Sequence, residues 1–485
     1  MAITTLDLTV LVVYMAAVTL WGAWLGRGAK GATDYFLGSR ELPWWAVLLS
    51  VVATETSTLT FLSIPGVAYL GTLTFLQLTL GYLVGRILVA TFMLPAYHAG
   101  SLTTAYELLD TRFGPETRRF ASGIFMITRL LADSVRLFAT AIPLALITGW
   151  PYPISIAVIG VLTLIYTYLG GIKAVVWIDA VQMILYLGGA LVAAIALQGL
   201  VPGGWSEILT QASAAGKLQV LDLSFDLGVA YTLWAGVLGG AIFSMASHGT
   251  DQLIVQRILT TGTLRDSQWA MIGSGFGAML QFLVFLMIGL GLWVFYAGAE
   301  FATSDAIFAT FIVEALPSGV TGLLIAGVFA AAMSSLSSSI NALASSSAYD
   351  FWAPAAGAVG DEARILKAGR IFTLIWAGLL IGGAIVFLTF NQGSAAVEVA
   401  LAIASLVYGG LLGAFVLGIR SKKADGRSVR LGMALGIGTV TCMWLFARSA
   451  VAWPWYVPIG AAVTIAVGIV FGRGKTDDGS AETPS

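Results

Sequence analysis

The sequence predicts an all-α membrane protein that crosses the bilayer about thirteen times. Of its 485 residues, 58% are hydrophobic and only 10% are charged, against about 45–50% apolar and about 25% charged residues in soluble domains. The mean hydropathy over all 485 residues is +0.91. A mean this high requires apolar residues along the whole chain, not in a single membrane anchor. Many uncharged stretches also reach the length of about 20 residues that a helix needs to cross the hydrocarbon.

Net charge and cysteine content exclude other classes of protein. The chain has 24 basic and 25 acidic residues, a net charge of −1, so no basic surface predicts a nucleic-acid partner. The single Cys442 excludes an intramolecular disulfide framework. The first apolar run carries Asp7, and its basic residues Arg27 and Lys30 follow it. A cleaved signal peptide has the opposite arrangement, so we expect none.

Uncharged stretches and the turn residues between them give the individual spans. No charged residue occurs between Arg136 and Lys173, and the turn Trp150-Pro-Tyr-Pro153 divides this run into two helices. The thirteen predicted spans are 6–26, 43–69, 73–97, 120–149, 153–170, 175–200, 228–248, 270–297, 317–349, 370–390, 395–419, 429–448 and 452–472.

The distribution of basic residues predicts the orientation in the plasma (inner) membrane. An odd number of spans places the two termini on opposite sides. With the N-terminus outside, most Lys and Arg residues fall in inside segments, as the positive-inside rule requires. We therefore expect a multi-pass protein with an outside N-terminus and a cytoplasmic C-terminus.

Charged residues inside the predicted spans are few, and each is costly, at about 2.5–3.5 kcal/mol near the bilayer centre. Arg129, Asp133 and Arg136 recur at i, i+4 and i+7 of the fourth span, so they share one helical face. Two interpretations stay open for this face. It forms either an internal ion-pair ladder or a surface that contacts a solute.

The second span contains a polar, β-branched run at mid-membrane. The run Ala53-Thr-Glu-Thr-Ser-Thr-Leu-Thr60 includes Glu55 and is followed closely by Pro65-Gly66. Such a run disfavours a continuous helix. In transporters, backbone carbonyls that a helix break frees often bind an ion or a solute. The alternative is a continuous helix whose hydroxyls bond to their own i−4 carbonyls.

The ninth span is rich in serine from Ala331 to Ser347. Ala331, Ser334, Ser335 and Ser338 recur at helical spacing, so hydroxyls line one broad stripe. Sodium is a hard cation that prefers oxygen ligands. Small residues also permit close helix packing, so this stretch alone is compatible with either a sodium site or a packed interface.

Three segments carry a resemblance to a known family. Tyr166 to Gln182 is similar to the signature GG-x-x-A-V-x-W-T-D-x-x-Q, with Ile178 where Thr is usual. Gly249-Thr-Asp-Gln-Leu-Ile-Val-Gln-Arg257 is similar to a D/N-Q-x-x-V-Q-R segment, and the serine stretch with Asn341 and Asp350 resembles a sodium-binding helix. Together they resemble the sodium/solute symporter family, which contains the sodium–glucose, proline, sialic acid and pantothenate cotransporters.

The resemblance implies a LeuT-like fold with two inverted five-helix repeats, at 43–200 and 228–419, joined by an outside loop at 201–227. Residues 1–42 would form a peripheral N-terminal helix and an inside loop, 420–473 two peripheral helices and 474–485 a disordered tail. The implied activity is import of a small organic solute with sodium by alternating access, by a protein that acts as a monomer within the lipid bilayer.

The resemblance also implies two sodium sites. The main ion would lie on the carbonyls of Ala53, Thr56 and Ala331 and on the hydroxyls of Ser334 and Ser335. Members that bind a second ion use residues that correspond to Asp179, Ser337 and Ser338. Asp179 lies close after Lys173, so the alternative is a carboxylate that pairs with Lys173 or Arg257 and never meets an ion.

Departures from the family pattern concern the solute. Sugar-transporting members carry Asn, Glu and Gln where this chain has Glu55, Leu59 and Thr60, and a Tyr-Trp pair where it has Ser247 and His248. This disfavours a sugar, which stays the alternative within the family. We expect instead a carboxylate-bearing or zwitterionic solute, clamped by an arginine, with Arg129 preferred. The expected solute-binding residues are Glu55, Ser57, Thr60, Gln77, Arg129, Asp133, Arg136, Ser247 and His248.

Other classes of function have less support from the sequence. Serine-lined helices also occur in channels, but the chain lacks a filter repeat, and the broken-helix pattern favours alternating access. A transporter-like sensor would need a signalling domain, and only a dozen polar residues follow residue 473. An intramembrane enzyme is the least supported class, because His98 and His248 lie far apart in the chain and make no metal cluster.

Overall fold

The fold is built from helices packed around one long buried helix. A computed structural model describes residues 4–25, 31–100, 102–301, 303–390 and 396–473, and the regular structure in these ranges is helical, without a strand. The predicted tail 474–485 and the basic residues Arg27 and Lys30 lie outside the described residues.

The helices in the first half of the chain are α1 (Thr5–Leu25), α2 (Ala32–Leu37), α3 (Trp44–Glu55), α4 (Thr58–Leu70), α5 (Leu76–Leu88), α6 (Leu94–Ala99), α7 (Glu107–Phe113), α8 (Pro115–Thr148), α9 (Tyr152–Leu200) and α10 (Gly204–Ala214). Those in the second half are α11 (Gly240–Gly249), α12 (Gln252–Ile258), α13 (Leu264–Phe295), α14 (Ser304–Glu314), α15 (Val320–Ser346), α16 (Ala353–Ala355), α17 (Glu362–Phe390), α18 (Ala396–Arg420), α19 (Gly426–Phe446) and α20 (Tyr456–Val470).

The predicted number of thirteen spans is not confirmed. Within the described ranges, nine helices are long and apolar enough to cross a membrane, or ten if the bent pair α3–α4 is one span. Part of the difference lies in α9, a helix of 49 residues that covers two predicted spans. If straight, a helix of this length would extend about 73 Å, more than twice the hydrocarbon thickness of about 30 Å.

Gly171 interrupts α9 between the two spans that the sequence predicts there. Its backbone leaves helical geometry, with φ 55° and ψ −155°, a region that glycine enters far more readily than other residues. A Cβ atom at this position would lie 2.5 Å from the carbonyl oxygen of Tyr35 in α2. Gly171 therefore permits both the break and the close approach of α2.

The break expected in the second span is present. α3 ends at Glu55 and α4 begins at Thr58, and the two helices meet at an angle of 64°. Thr56 and Ser57 between them have extended backbones, and the Ser57 side chain accepts a hydrogen bond from the Thr60 amide at 3.4 Å, which caps α4. The alternative of a continuous second helix is therefore wrong.

Helix α15 forms the centre of the molecule. Every residue from Leu324 to Ser346 is buried, and α15 packs against α1, α8, α9 and α17. The serine stretch thus lies in the interior, opposite the break between α3 and α4. This position brings the polar segments of two distant parts of the chain together.

Candidate ion and solute site

The helix break leaves backbone carbonyls at the end of α3 without helical partners. The Thr56 amide donates to the Val52 carbonyl at 3.0 Å, and this is the last bond of the helix. Among the described residues, no backbone amide donates to the Ala53 carbonyl. The Ser335 hydroxyl from α15 donates to the Ala331 carbonyl at 3.2 Å and approaches the Thr54 carbonyl at 3.4 Å. The break and the serine stretch therefore meet in a region rich in oxygen atoms.

Thr56 is held by its side chain as well as by its backbone. Its hydroxyl donates to the Val52 carbonyl at 2.9 Å, and it lies 2.6 Å from Nε2 of Gln281 in α13. The Tyr186 hydroxyl donates to Oε1 of the same Gln281 at 3.2 Å. These contacts fix the orientation of the extended segment, and with it the directions of the freed carbonyls.

Asp179 lies on the neighbouring helix α9 and is completely buried. Its Oδ2 atom accepts hydrogen bonds from Ser50 at 2.6 Å and from Arg257 at 3.2 Å. The Ser334 side chain lies near this carboxylate. The Ser334 hydroxyl and the Oδ1 atom of Asp179 are both buried, and neither makes a full hydrogen bond among the described residues. Arg257 is therefore the ion-pair partner of Asp179, and one carboxylate oxygen stays unpaired.

The two further serines expected at the second sodium site lie close to this pair. The Ser337 hydroxyl donates to the Ser334 carbonyl at 3.0 Å, and the Ser338 hydroxyl donates to the same carbonyl at 2.5 Å. Ser338 also accepts a hydrogen bond from Arg257. Lys173, the other partner considered for Asp179, pairs instead with Asp34 at 2.6 Å.

A small cavity lies between α4, α8 and α15. Its volume is about 20 Å³, slightly more than a single water molecule needs. Asp133 and Arg136 of the ladder line it, together with the start of α4 and part of the serine stretch in α15. The full lining is Ser57, Thr58, Asp133, Arg136, Leu137, Thr140, Ala332, Ser335 and Leu336. The cavity is polar on one side and lies directly beside the helix break.

Arg136 is the arginine that reaches this cavity. About a quarter of its side chain, 23%, is exposed. Its Nη1 donates to Oδ1 of Asp133 at 3.0 Å, while Oδ2 of Asp133 accepts from Ser339 at 2.5 Å. Asp133 thus orients Arg136 and leaves part of its guanidinium free for an anionic group.

Arg129 occupies a different environment, although it shares the same face of α8. It is buried, with ion-pair contacts to Asp251 and, at 3.7 Å, to Asp133. Its Nη2 also donates to the Tyr408 hydroxyl at 2.8 Å, and that hydroxyl donates to Oδ2 of Asp251 at 2.8 Å. The geometry therefore gives Arg129 a structural partner and does not support the preference for Arg129 as the solute clamp.

Glu55 at the end of α3 belongs to a second polar cluster. It forms a salt bridge with Arg86 of α5, and Nη1 of Arg86 donates to the Ser274 hydroxyl at 2.9 Å. His248 of α11 lies beside them, with Nε2 at 3.9 Å from Oε2 of Glu55. Ser247 lies 2.9 Å from Nδ1 of His248. Glu55, Ser247 and His248, three of the expected solute-binding residues, thus lie in one cluster.

Two other expected solute residues have mostly structural partners. Gln77 is buried; its Nε2 donates to the Tyr231 carbonyl at 2.9 Å, and its Oε1 accepts from the Asp222 amide at 3.1 Å. The hydroxyl of Thr60 lies 3.4 Å from that of Ser57. Gln77 is therefore engaged by the segment before α11, whereas Thr60 lies at the first turn of α4, next to the break.

Arg86 and Asp251 are site residues that the sequence analysis did not assign. Arg86 forms an ion pair with the partly exposed Glu55, and Asp251 forms a buried ion pair with Arg129. An intramembrane charge requires an opposite partner. Glu55 and Arg86 lie in adjacent predicted spans, and neither has an opposite charge within its own span. The rule could therefore have predicted from the sequence that they pair with each other.

The sequence matches the family described as "Sodium:solute symporter family" over residues 35–436. It is 31% identical over 441 residues to the sodium/sialic acid symporter SiaT of Proteus mirabilis, covering 89% of this chain and 88% of that protein. It is 29% identical over 469 residues to the sodium/sialic acid symporter NanT of Aliivibrio fischeri, covering 96% and 92%. The sodium/iodide cotransporter of Homo sapiens is 28% identical over 436 residues, covering 87% and 67%.

Two solved structures of sodium-coupled or cation-coupled symporters are similar to this chain. One, a substrate-bound, outward-open Na⁺-coupled sialic acid symporter, has a TM-score of 0.87 at 29% identity and covers 96% of this chain and 97% of its own. The nucleobase-cation-symport-1 transporter Mhp1, in a closed conformation, shares the fold, with a TM-score of 0.57 at 12% identity and coverage of 92% and 95%. The predicted LeuT-like fold is thereby confirmed. This chain belongs to the sodium:solute symporter family, and it is a sodium-coupled, multi-pass membrane transporter rather than an enzyme.

Proposed function

We propose that this protein imports a small organic carboxylate across the plasma membrane, and that Arg136 binds the carboxylate group. The observation that carries the proposal is the position of Arg136, which lines the cavity beside the helix break with part of its guanidinium exposed. A guanidinium can bind a carboxylate with two parallel hydrogen bonds. Two bacterial relatives are named as sialic acid symporters, and sialic acid carries a carboxylate.

The solute would bind in a state more open than this one. A cavity of about 20 Å³ holds a water molecule and little more, so a solute of several carbon atoms needs the lining helices to separate. Movement of a helix bundle around a central site is the usual mechanism of such folds. We assign residues 43–200 and 228–419 to the two inverted repeats, joined by the outside loop 201–227.

Both proposed repeats begin with an interrupted helix. α3 and α4 are separated at Thr56 and Ser57, and α11 and α12 at Thr250 and Asp251. Residues 1–42 and 420–473 then form the peripheral elements. The charge distribution supports an outside N-terminus and a cytoplasmic C-terminus, and we propose that one chain is the transport unit.

The main sodium ion would bind where the break faces the serine stretch. The proposed ligands are the carbonyls of Ala53, Thr56 and Ala331 and the hydroxyls of Ser334 and Ser335. The free Ala53 carbonyl and the unpaired Ser334 hydroxyl support this set, because sodium satisfies oxygen atoms that lack hydrogen-bond donors. A second ion would bind at Asp179, Ser337 and Ser338.

We expect uptake to be driven by sodium and to require the carboxylate. Proteoliposomes should accumulate radiolabelled N-acetylneuraminate under an inward sodium gradient, and the methyl ester of the same compound should not compete, because it offers Arg136 no charge. Carbonyl and hydroxyl ligands have no titratable group with which to bind a proton in place of sodium. Equal uptake under a pH gradient without sodium, or equal competition by the ester, would refute the proposal.

Removing the serine hydroxyls should weaken sodium binding without unfolding the protein. Ser334→Ala and Ser335→Ala should each raise the sodium concentration for half-maximal uptake about 10-fold or more, since each deletes one proposed ligand and leaves little empty volume. Sodium titration of uptake is the measurement. Ser155→Ala is the matched control, because Ser155 is also a buried serine without a hydrogen-bond partner but lies near the start of α9. A shift in the control equal to that in both variants would contradict the assignment.

A further inference from the structure

A second cavity lies where α17 begins. Its volume of about 370 Å³ is within the range of ligand-binding pockets, about 300–1,000 Å³. One wall is formed by Trp352, which ends the π-helical turn Ser347–Trp352 that follows α15. The full lining is Trp352, Arg364, Lys367, Ala368, Ile371 and Phe372. None of these residues belongs to the proposed ion and solute sites, so the cavity is separate from them.

Two cations line this cavity without a carboxylate to pair with. Arg364 and Lys367 are exposed, and neither forms an ion pair among the described residues. The adjacent acidic residues have other partners. Asp361 accepts a hydrogen bond from the Arg364 amide at 3.0 Å. The two carboxylate oxygens of Glu362 accept from the amide and the hydroxyl of Thr33, at 2.7 and 2.8 Å. The cavity therefore favours an anionic ligand.

Arg364 is held in place from two sides. Its Cζ atom lies 5.8 Å from the centre of the Trp352 ring, a cation–π contact. Its Nη2 donates to the Ala356 carbonyl at 3.3 Å. A guanidinium has five N–H donors, so most of them stay free after this single hydrogen bond. An oriented guanidinium with free donors can bind two oxygen atoms of a phosphate group at once.

The face of α17 that carries both cations continues as an exposed apolar strip. Ile371 and Ile375 follow Lys367 at intervals of four residues, so they share its face, and their side chains are 50% and 45% exposed. A Cβ atom at Gly378 or Gly382 on the same face would meet no other atom within 4 Å. From Ile371 to Gly382 the strip extends about 16 Å, about half of the hydrocarbon thickness of about 30 Å. It therefore spans the depth of one bilayer leaflet.

We infer that this cavity binds an anionic phospholipid, with the phosphate between Arg364 and Lys367 and the acyl chains along the apolar strip. Basic pockets on the cytoplasmic side of helix bundles bind the head groups of such lipids, and the proposed orientation places the start of α17 on that side. A soluble phosphate compound would contact the cations and leave the strip unused, so the geometry favours the lipid. Trp352 continues from α15, and a bound lipid would therefore hold the ends of α15 and α17 together.

The test titrates the purified protein in a neutral detergent with phosphatidylglycerol and with phosphatidylcholine of the same acyl chains. Apparent dissociation constants follow from the thermal stabilisation that each lipid produces. Phosphatidylglycerol should bind at least about 10-fold more tightly, because each basic residue beside an anionic lipid contributes roughly a factor of five. Inorganic phosphate and glycerol 3-phosphate are the soluble probes, and both should bind at least about 100-fold more weakly than phosphatidylglycerol because they lack acyl chains.

Charge variants determine whether the preference depends on this cavity. Arg364→Gln together with Lys367→Gln should weaken phosphatidylglycerol binding about 25-fold and remove the preference over phosphatidylcholine. Arg364→Lys keeps the net charge and should still weaken it about 5-fold, because the two-pronged contact is lost. Lys422→Gln together with Lys423→Gln is the matched control, since it removes two exposed lysines from the loop between α18 and α19 and should leave the affinity unchanged. Stabilisation by sodium alone, retained in each variant, shows that the fold is intact.

Three outcomes overturn the inference. Equal binding of the two lipids would show that the cavity does not recognise the negative charge. An equal loss of affinity in the control pair would assign the preference to the overall charge of the cytoplasmic side. Binding of inorganic phosphate or glycerol 3-phosphate as tightly as phosphatidylglycerol would make the cavity a site for soluble phosphate compounds. None of these measurements uses the transported solute, so their outcome is independent of the carboxylate proposal.

Discussion

Replacing Arg129 by methionine will lower the free energy of unfolding by about 3–5 kcal/mol, because the change leaves Asp251 as an uncompensated buried charge. Asp251 is fully buried and pairs with Arg129, and the Tyr408 hydroxyl completes the contact. A neutral phenol cannot replace the guanidinium charge. Denaturant titration of the purified protein in detergent is the measurement.

Arg136 provides the contrast on the same helix face. Arg136→Lys should leave stability within about 0.5 kcal/mol, because the side chain is partly exposed and keeps its charge. Its effect should appear in solute affinity, which should fall about 10-fold or more through loss of the two-pronged contact. The opposite pattern, with Arg129 controlling affinity and Arg136 controlling stability, would restore Arg129 as the clamp. Asp251→Asn is a second control that should be less harmful in an Arg129→Met background than alone.

Removing the second sodium site should halve the number of coupled ions. If both sites are filled, the sodium dependence of uptake has a Hill coefficient near two, and Asp179→Asn together with Ser337→Ala should bring it towards one while uptake continues. Each coupled ion contributes about 1.4 kcal/mol for a tenfold sodium gradient. Without a membrane potential, maximal solute accumulation under that gradient should therefore fall about 10-fold.

The ion pair with Arg257 determines how this experiment must be controlled. Asp179→Asn alone leaves Arg257, which is also fully buried, without its partner, and a loss of stability could be mistaken for loss of an ion. Adding Arg257→Gln gives a neutral pair that separates the two effects. A Hill coefficient of one in the unmodified protein, with one sodium ion transported per solute, would leave Asp179 as the structural partner of Arg257.

Local sequence patterns predicted the parts of the site that depend on neighbouring residues. The polar run at Thr56 and Ser57 predicted a helix break, and the spacing of Ser334, Ser335 and Ser338 predicted a hydroxyl stripe, because helical periodicity determines which residues share a face. Both features are present. The sequence also divided α9 at the position of Gly171, but the close approach of Tyr35 from α2, which requires a glycine there, is a tertiary contact that the local pattern does not contain.

The sequence could not distinguish the two arginines of the ladder. Arg129 and Arg136 are seven positions apart and therefore share one face, but they lie about 10.5 Å apart along the axis and meet different neighbours. The neighbours that separate their roles, Asp251 and Tyr408 against the cavity at Ser57, come from distant parts of the chain. Pairing of this kind is a property of the tertiary structure, which periodicity does not encode.

Ser335 lines the solute cavity and also belongs to the proposed ligands of the main sodium ion. Ion and solute would then share one side chain, so each changes the free energy with which the other binds. Thermodynamic linkage makes this effect reciprocal: the factor by which sodium tightens solute binding equals the factor by which the solute tightens sodium binding. If sodium raises the affinity for a given solute only slightly, that solute raises the affinity for sodium equally slightly. Selection between solutes would then depend on sodium occupancy as well as on direct contacts.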